Sequence, residues 1–497
     1  MNEKVLNNQV LTGLPAAVAT PRYDRDALTP GIVHLGIGAF HRAHQAWYTE
    51  QVLSDAAPDW GIIGASLRSP GVRDQLAPQN YLYSLVVKGN EGESVQVIGS
   101  VLDVFVAPES PHALLETLAR EEIRIVSLTI TEKGYCHDPA SGTLNLQHPD
   151  IQHDLANPHA PKSALGFIVY ALRKRRAAGL PGFTLLSCDN LPSNGQLLQR
   201  VVMAFARQID GELADWIADN TRCPSTMIDR IVPATTDADR DALEQRLGVR
   251  DNAAVMAEPF TQWVVEDNFL RGRPAWQESG ATFVEDVEPF ELIKLRLLNG
   301  CHSLLAYSGY LAGFETIADV MGEPAYAALA ERFLASEASA AVEAPAGFDL
   351  AAYRQQLLQR FANRALRHRT WQIAMDGSQK IPQRWLGTLR HQLRSGGSIE
   401  LLSLALACWI RYVSAVDDAG NPIDVSDPLA AELKALAERC GNDPTELARG
   451  LLNFTPVFGE DLRDSSQLQQ VLTAQLARVI EHGALAAVRM QMESCPA

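Results

Sequence analysis

No two of the seven cysteines form a Cys-x-x-Cys pair. Cys136, Cys188, Cys223, Cys301, Cys408, Cys440 and Cys495 are scattered singly, and their number is odd. Neither a disulfide framework nor a structural zinc site is suggested. Apolar runs long enough to span a bilayer are absent too. The first residues, Met-Asn-Glu-Lys-Val-Leu-Asn-Asn-Gln, lack the apolar stretch of a secretory signal. The expectation is a cytoplasmic protein with no membrane partner. Positive charge is in deficit, with 43 Lys and Arg against 59 Asp and Glu, a net charge of −16. A nucleic-acid partner needs the opposite balance. An anionic substrate would need a local cluster of cations. Internal repeats and low-complexity segments are lacking as well.

What remains is a globular composition, 46% hydrophobic and 21% charged, on 497 residues. That length exceeds one ordinary core, so two domains are the default. β-prone runs alternate with helical patterns through the first half. Residues 32–35, 61–67, 97–98, 101–106, 123–131 and 183–188 read as strands, with a helix over 164–177. The alternation predicts an α/β, doubly wound parallel sheet. After a last strand at 282–287 the pattern turns almost wholly helical, for example over 401–413, 429–437 and 471–480. The boundary is placed at 287. Residues 1–287 are expected to form the α/β domain and 288–497 a mostly α-helical one. The Ala-rich stretch 335–346 reads as a surface loop or a frayed helix.

The first strand runs into Gly36-Ile-Gly38-Ala39-Phe40-His41-Arg42. Two glycines match the G-x-G-x-x-G turn, which lets backbone N–H groups at a helix start meet a pyrophosphate. The third glycine is replaced by His41. Gly36, Gly38, Ala39 and Phe40 are the cofactor-binding candidates. His41 and His44 have a spacing found in metal sites but lack a third ligand at a recognisable interval. A place near the phosphates or in a cleft between the domains suits them better. An acidic residue at the end of the second strand would favour NAD. Here the strand ends Leu67-Arg68-Ser69, so Arg68 joins the cofactor candidates and NADP is permitted.

A second polar feature is Glu291-Leu-Ile-Lys294-Leu-Arg-Leu-Leu-Asn299-Gly-Cys-His302. At about 100° per residue on an α-helix, its four polar residues fall within an arc of roughly 140°. The stripe fits a solvated helix face, or one wall of a reaction site.

Several segments together resemble the mannitol dehydrogenase family, the polyol-specific long-chain dehydrogenases. They are His34 to His44, Thr129-Ile-Thr-Glu-Lys-Gly-Tyr135, Ser187-Cys-Asp-Asn-Leu-Pro192, Met227-Ile-Asp-Arg-Ile-Val-Pro233, Gln262 to Asn268, and Lys294 to His302. They occur in order over nearly the whole chain. The resemblance implies a zinc-independent NAD(P) oxidoreductase, with NAD as the cofactor and NADP open, in which 1–287 is a Rossmann-like dinucleotide-binding domain and 288–497 a helical substrate-binding and catalytic domain. It implies Lys294 as general acid/base and Asn190 and Asn299 as holders of the reacting oxygen. It further implies His302 as substrate orienter, Glu132 as proton outlet, Glu291 as a gate-like acid and Asp229 as a substrate contact. Members are often monomers, so a monomer or weak oligomer is expected.

Family members oxidise polyols such as mannitol, or reduce a hexuronate, fructuronate or tagaturonate. Segment 366–384, with Arg367, Arg369 and Lys380, resembles the fructuronate reductases. Chemistry agrees, because a uronate carries a carboxylate that arginine's planar fork can bind by two charge-assisted hydrogen bonds. Ion pairing of these residues with surface acids is the alternative. Ser66-Leu-Arg-Ser69 resembles the mannitol dehydrogenases instead. The expected reaction is therefore D-fructuronate to D-mannonate. Mannitol 2-dehydrogenase, tagaturonate reductase and a non-catalytic NAD-binding regulator are the alternatives.

Overall fold

A computed structural model describes residues 4–138 and 141–494, so Cys495 lies outside the described residues. The chain divides into two compact units, Met1–Glu288 and Pro289–Ala497.

The first unit is built on a five-stranded, all-parallel sheet. Its order is Val101–Val106, Gly61–Ser66, Pro30–Leu35, Ile125–Leu128, Thr184–Ser187. In chain order of these five strands that is third, second, first, fourth, fifth, the arrangement of a doubly wound nucleotide-binding fold. The central strands are buried on both faces, which is why Ile32, Val33, Ile62, Ile125 and Val126 form continuous apolar runs rather than alternating ones. The helix Ala164–Ala177 has the bounds the pattern predicts. Ser163 caps it by accepting from the Gly166 N–H at 3.0 Å, and Lys174, Arg175 and Arg176 occupy the last turn.

Three strand expectations need adjustment. The run 123–131 is extended only over Ile125–Leu128, because the N–H groups of Ile130 and Thr131 donate to the Asp189 carboxylate instead of a neighbouring strand. Residues 97–98 are the end of strand Gly92–Ile98, which forms a hairpin with Tyr83–Gly89 in a separate four-stranded sheet. Thr282–Val284 pairs with Gln262–Glu266 in a third, three-stranded sheet and stops there.

The second unit is helical in its described residues. At its centre lies Glu400–Val413, apolar on nearly every face and packed against Gly300–Leu311 and Ser466–His482. The stretch 335–346 is not a surface loop at its start. Residues Leu334–Ala338 make a π-helical turn, and Glu337 is buried. Its carboxylate accepts from the N–H groups of Leu401 and Leu402 and from the Ser398 hydroxyl. It thus satisfies the open donors at the start of the central helix, and burial raises its pKa to about 7. Alanine-rich composition concealed that one anchoring carboxylate. No helix among the described residues is long and apolar enough to cross a membrane.

Candidate functional site

In the first unit a cavity of about 830 Å³ opens at the carboxyl ends of four parallel strands. Gly36 and Gly38 line it after the first strand, Leu67, Arg68 and Ser69 after the second, Ala107 and Pro108 after the third, and Thr129 to Thr131 after the fourth. The strand order reverses between the first and fourth strands, and that is where ligands settle in such sheets. The two glycines have separate reasons. Gly36 has φ +96°, and a Cβ there would overlap the Thr129 carbonyl. Gly38 needs no unusual φ, but the space where its Cβ would stand is open, with only the Gly36 oxygen at 3.9 Å. A dinucleotide pyrophosphate fits that bare backbone. Arg68 is exposed and lines the cavity. Arg73, by contrast, is held by Asp74 and Glu109. Phe40 turns inward and stacks on His44 at 5.1 Å, and neither it nor Ala39 lines the cavity.

His41 and His44 are core residues rather than phosphate neighbours. His41 is fully buried and stacks on His34 at 3.4 Å, while His44 packs against Tyr48 and Trp263. His34 bridges Ser127 and Thr129, and the Thr129 hydroxyl donates to the Gly36 carbonyl at 2.7 Å. Burial depresses His34 to about 3 and takes His41 well below the normal histidine range. The stack is therefore neutral and braces the glycine turn from behind.

Asp189, which sequence reasoning passed over, ties two strand ends together. It accepts from Ile130 N–H at 3.0 Å, Thr131 N–H at 2.9 Å and the Tyr135 hydroxyl at 2.8 Å. Burial raises its pKa, and these donors oppose the rise. Thr131 is held at φ +63°, an uncommon value for a β-branched residue. The clamp fixes the loop bearing Glu132 beside the one bearing Asn190; both side chains are exposed. Asp229 is buried at the end of strand Thr226–Asp229. No sequence signal distinguishes Asp189 from its neighbour Asn190, since the clamp closes only through the sheet.

In the second unit the polar stripe is not a simple α-helix. Residues Lys294–Asn299 form a π-helical turn, in which the Gly300 N–H bonds to the Leu295 carbonyl five residues back. On an α-helix, Lys294 and Asn299 would stand about 140° apart. The wider turn narrows the angle between residues five apart, a distortion frequent at functional sites. His302 follows three residues later on helix Gly300–Leu311. Glu291, Lys294, Asn299 and His302 are all buried. The Asn299 Nδ2 has no hydrogen-bond partner among the described residues.

His302 packs against Phe361 and His368, with ring centroids 5.2 and 4.8 Å away. Burial, then His368, Arg384, Arg360 and Lys380, hold its pKa well below the usual value, so the imidazole is neutral at pH 7. Of the three cations expected to meet a carboxylate, only Lys380 belongs to this group. Arg367 and Arg369 are largely exposed and lie 3.5 and 3.8 Å from Glu315. Arg384 and Arg360 act on the His302 imidazole in their place, and the Arg384 Nη1 donates to the hydroxyl of the next residue, Ser303. Arg384 stood at the end of the segment singled out by sequence, but nothing in the pattern told which arginine turned inward.

Comparison with known proteins covers both units. The family model for the mannitol dehydrogenase Rossmann domain matches residues 30–278, and that for the mannitol dehydrogenase C-terminal domain matches 286–480. D-mannonate oxidoreductase of Escherichia coli K12 is 48% identical over 473 residues, covering 94% of this chain and 96% of its own. Mannitol 2-dehydrogenase of Pseudomonas fluorescens, solved as a ternary complex with NAD and D-mannitol, aligns with a TM-score of 0.87 at 38% identity. It covers 99% of this chain and 100% of its own. A D-sorbitol dehydrogenase solved in substrate-free form gives a TM-score of 0.90 at 35% identity, covering 97% and 100%.

Proposed function

The chain belongs to the mannitol dehydrogenase family, oxidoreductases acting on a CH–OH group, and from that premise we propose that it interconverts D-fructuronate and D-mannonate with NAD. The observation that carries this reading is the group of cations around His302. In a chain of net charge −16, Arg384 donates to Ser303, the residue after the buried His302, and the charges of Arg360 and Lys380 reach the same imidazole. A ketouronate offers such a group a carboxylate, and a polyol does not. The relative named D-mannonate oxidoreductase, at 48% identity, supports the same choice.

Gly36, Gly38 and Arg68 hold the dinucleotide, and its nicotinamide supplies or accepts the hydride. In the reducing direction the ketone oxygen gains charge as its carbon takes the hydride. The Asn299 amide donates to that oxygen, and the Lys294 ammonium gives it a proton. In the oxidising direction neutral Lys294 takes the hydroxyl proton. The neutral imidazole of His302 orients substrate hydroxyls. Asn190 and Glu132 on the first unit, with Asp229, and Glu291 on the second keep the roles the family resemblance implies.

Initial rates with D-fructuronate, D-tagaturonate and D-fructose, each with NADH and NADPH, test the reading. D-fructuronate with NADH is expected to give the highest kcat/KM. Preference for fructose moves the assignment to a mannitol 2-dehydrogenase, which the Ser66-Leu67-Arg68-Ser69 segment would favour. Tight NADH binding with no turnover on any of the three would mark a non-catalytic regulator.

A further inference from the structure

We propose that Arg384 is the residue that recognises the substrate carboxylate and so sets ketouronate over ketose selectivity; this rests on the ketouronate reading above. Arg384 lies in another π-helical turn, Pro382–Leu386, packed against the turn Lys294–Asn299. The buried Trp385 indole locks the two by donating to the Gly300 carbonyl at 2.9 Å. Arg384 is thereby aimed at the reaction helix, where its Nη1 donates to the Ser303 hydroxyl at 2.8 Å.

Arg384 is partly buried, yet among the described residues the Ser303 hydroxyl is its only hydrogen-bond partner and it makes no ion pair. Other arginines of this acidic chain either hold a carboxylate, as Arg390 holds Asp461 and Arg273 holds Asp267, or are buried on several backbone carbonyls, as Arg175 and Arg230 are. Withdrawing a guanidinium from water without a counter-ion is costly. Among the described residues only one of its five N–H donors is engaged. The rest form a fork suited to a carboxylate. The His368 Nδ1, buried near His302 and without a hydrogen-bond partner among the described residues, is a further donor or acceptor for the same ligand. Arg367 and Arg369 are more than two-thirds exposed and face Glu315, so water and a protein carboxylate already compete for them.

The spacing is also right. Ser303 follows Asn299 by four residues, a rise of about 6 Å along the helix. In an extended six-carbon ketouronate the carboxylate carbon is four bonds from the ketone carbon, about 5 Å. A ketone oxygen at Asn299 therefore leaves the carboxylate near Ser303 and Arg384.

The test compares kcat/KM on D-fructuronate and D-fructose for the full-length wild type, Arg384→Gln, Arg384→Lys and Arg369→Gln, with thermal melting of each. Arg384→Gln is expected to lose about 30-fold or more on fructuronate, the cost of unpairing a buried charge, with fructose changed by less than about 5-fold. Arg384→Lys, which keeps the charge and loses the fork, should recover part of the loss. If Arg384→Gln does not fold, the lysine variant decides: a loss confined to fructuronate supports the assignment. Equal losses on both substrates, undiminished fructuronate turnover, or a selective loss in Arg369→Gln alone overturns it. A wild type without ketouronate turnover overturns the proposed function itself; a wild type with it and an unaltered Arg384→Gln overturns only this inference.

Discussion

Replacing Asn299 by leucine should make the protein less active and more stable at once. Leucine has nearly the shape of asparagine and no amide. The Asn299 side chain is 8% exposed, and its Nδ2 has no acceptor among the described residues. A buried donor left unmade costs about 1–3 kcal/mol. Leucine removes that cost and adds apolar burial, so a net gain of about 1–2 kcal/mol is expected. For a folding unit of this size 1 kcal/mol is about 2–4 °C in Tm. The same amide is the proposed donor to the reacting oxygen, and loss of one such donor costs about 10²–10³ in kcat. Differential scanning calorimetry with the fructuronate assay on one preparation checks both halves. A Tm lowered by several degrees would show that the amide is satisfied in the native protein. Turnover within a few-fold of wild type would remove Asn299 from the reaction.

Other perturbations address the remaining parts. Lys294→Ala should lower turnover by about 10²–10⁴ and leave the NADH Kd, read by fluorescence titration, within a few-fold; retained turnover would end its role as acid/base. Gly36→Ala forces a side chain into φ +96° against the Thr129 carbonyl, so NADH affinity should fall at least about 10-fold and Tm by several degrees; normal affinity would place the pyrophosphate elsewhere. His34 is neutral in the folded protein, with a pKa near 3, whereas the unfolded chain binds a proton below about 6.5. The unfolded state therefore gains protons as pH falls, and stability drops from about pH 6.5 downward. Urea titrations at pH 4, 5 and 6 should show a shallower acid slope in His34→Gln, by up to about 1.4 kcal/mol per pH unit. Equal slopes would mean that His34 titrates alike in both states.

The sequence by itself determined the alternation of strands and helices and the glycine turn. It also carried the lysine–asparagine–histidine segment, because periodicity and positive-φ needs are local properties written residue by residue. Helix 164–177 and the strands at 32–35 and 101–106 were legible for that reason. Tertiary structure decided what depends on distant partners. His41 and His44 became core residues because His34, Phe40 and Trp263 surround them. Glu337 became a helix anchor because Leu401 and Leu402 arrive from 64 and 65 residues away. A π turn runs between Lys294 and Asn299 in the stripe, which no α-helical period anticipates. The basic segment 366–384 pointed to an anion, but only the packing of one π turn on another aimed Arg384 at the reaction segment while Arg367 and Arg369 stayed exposed. A side chain's charge is local, whereas its freedom from competing carboxylates is a property of the fold.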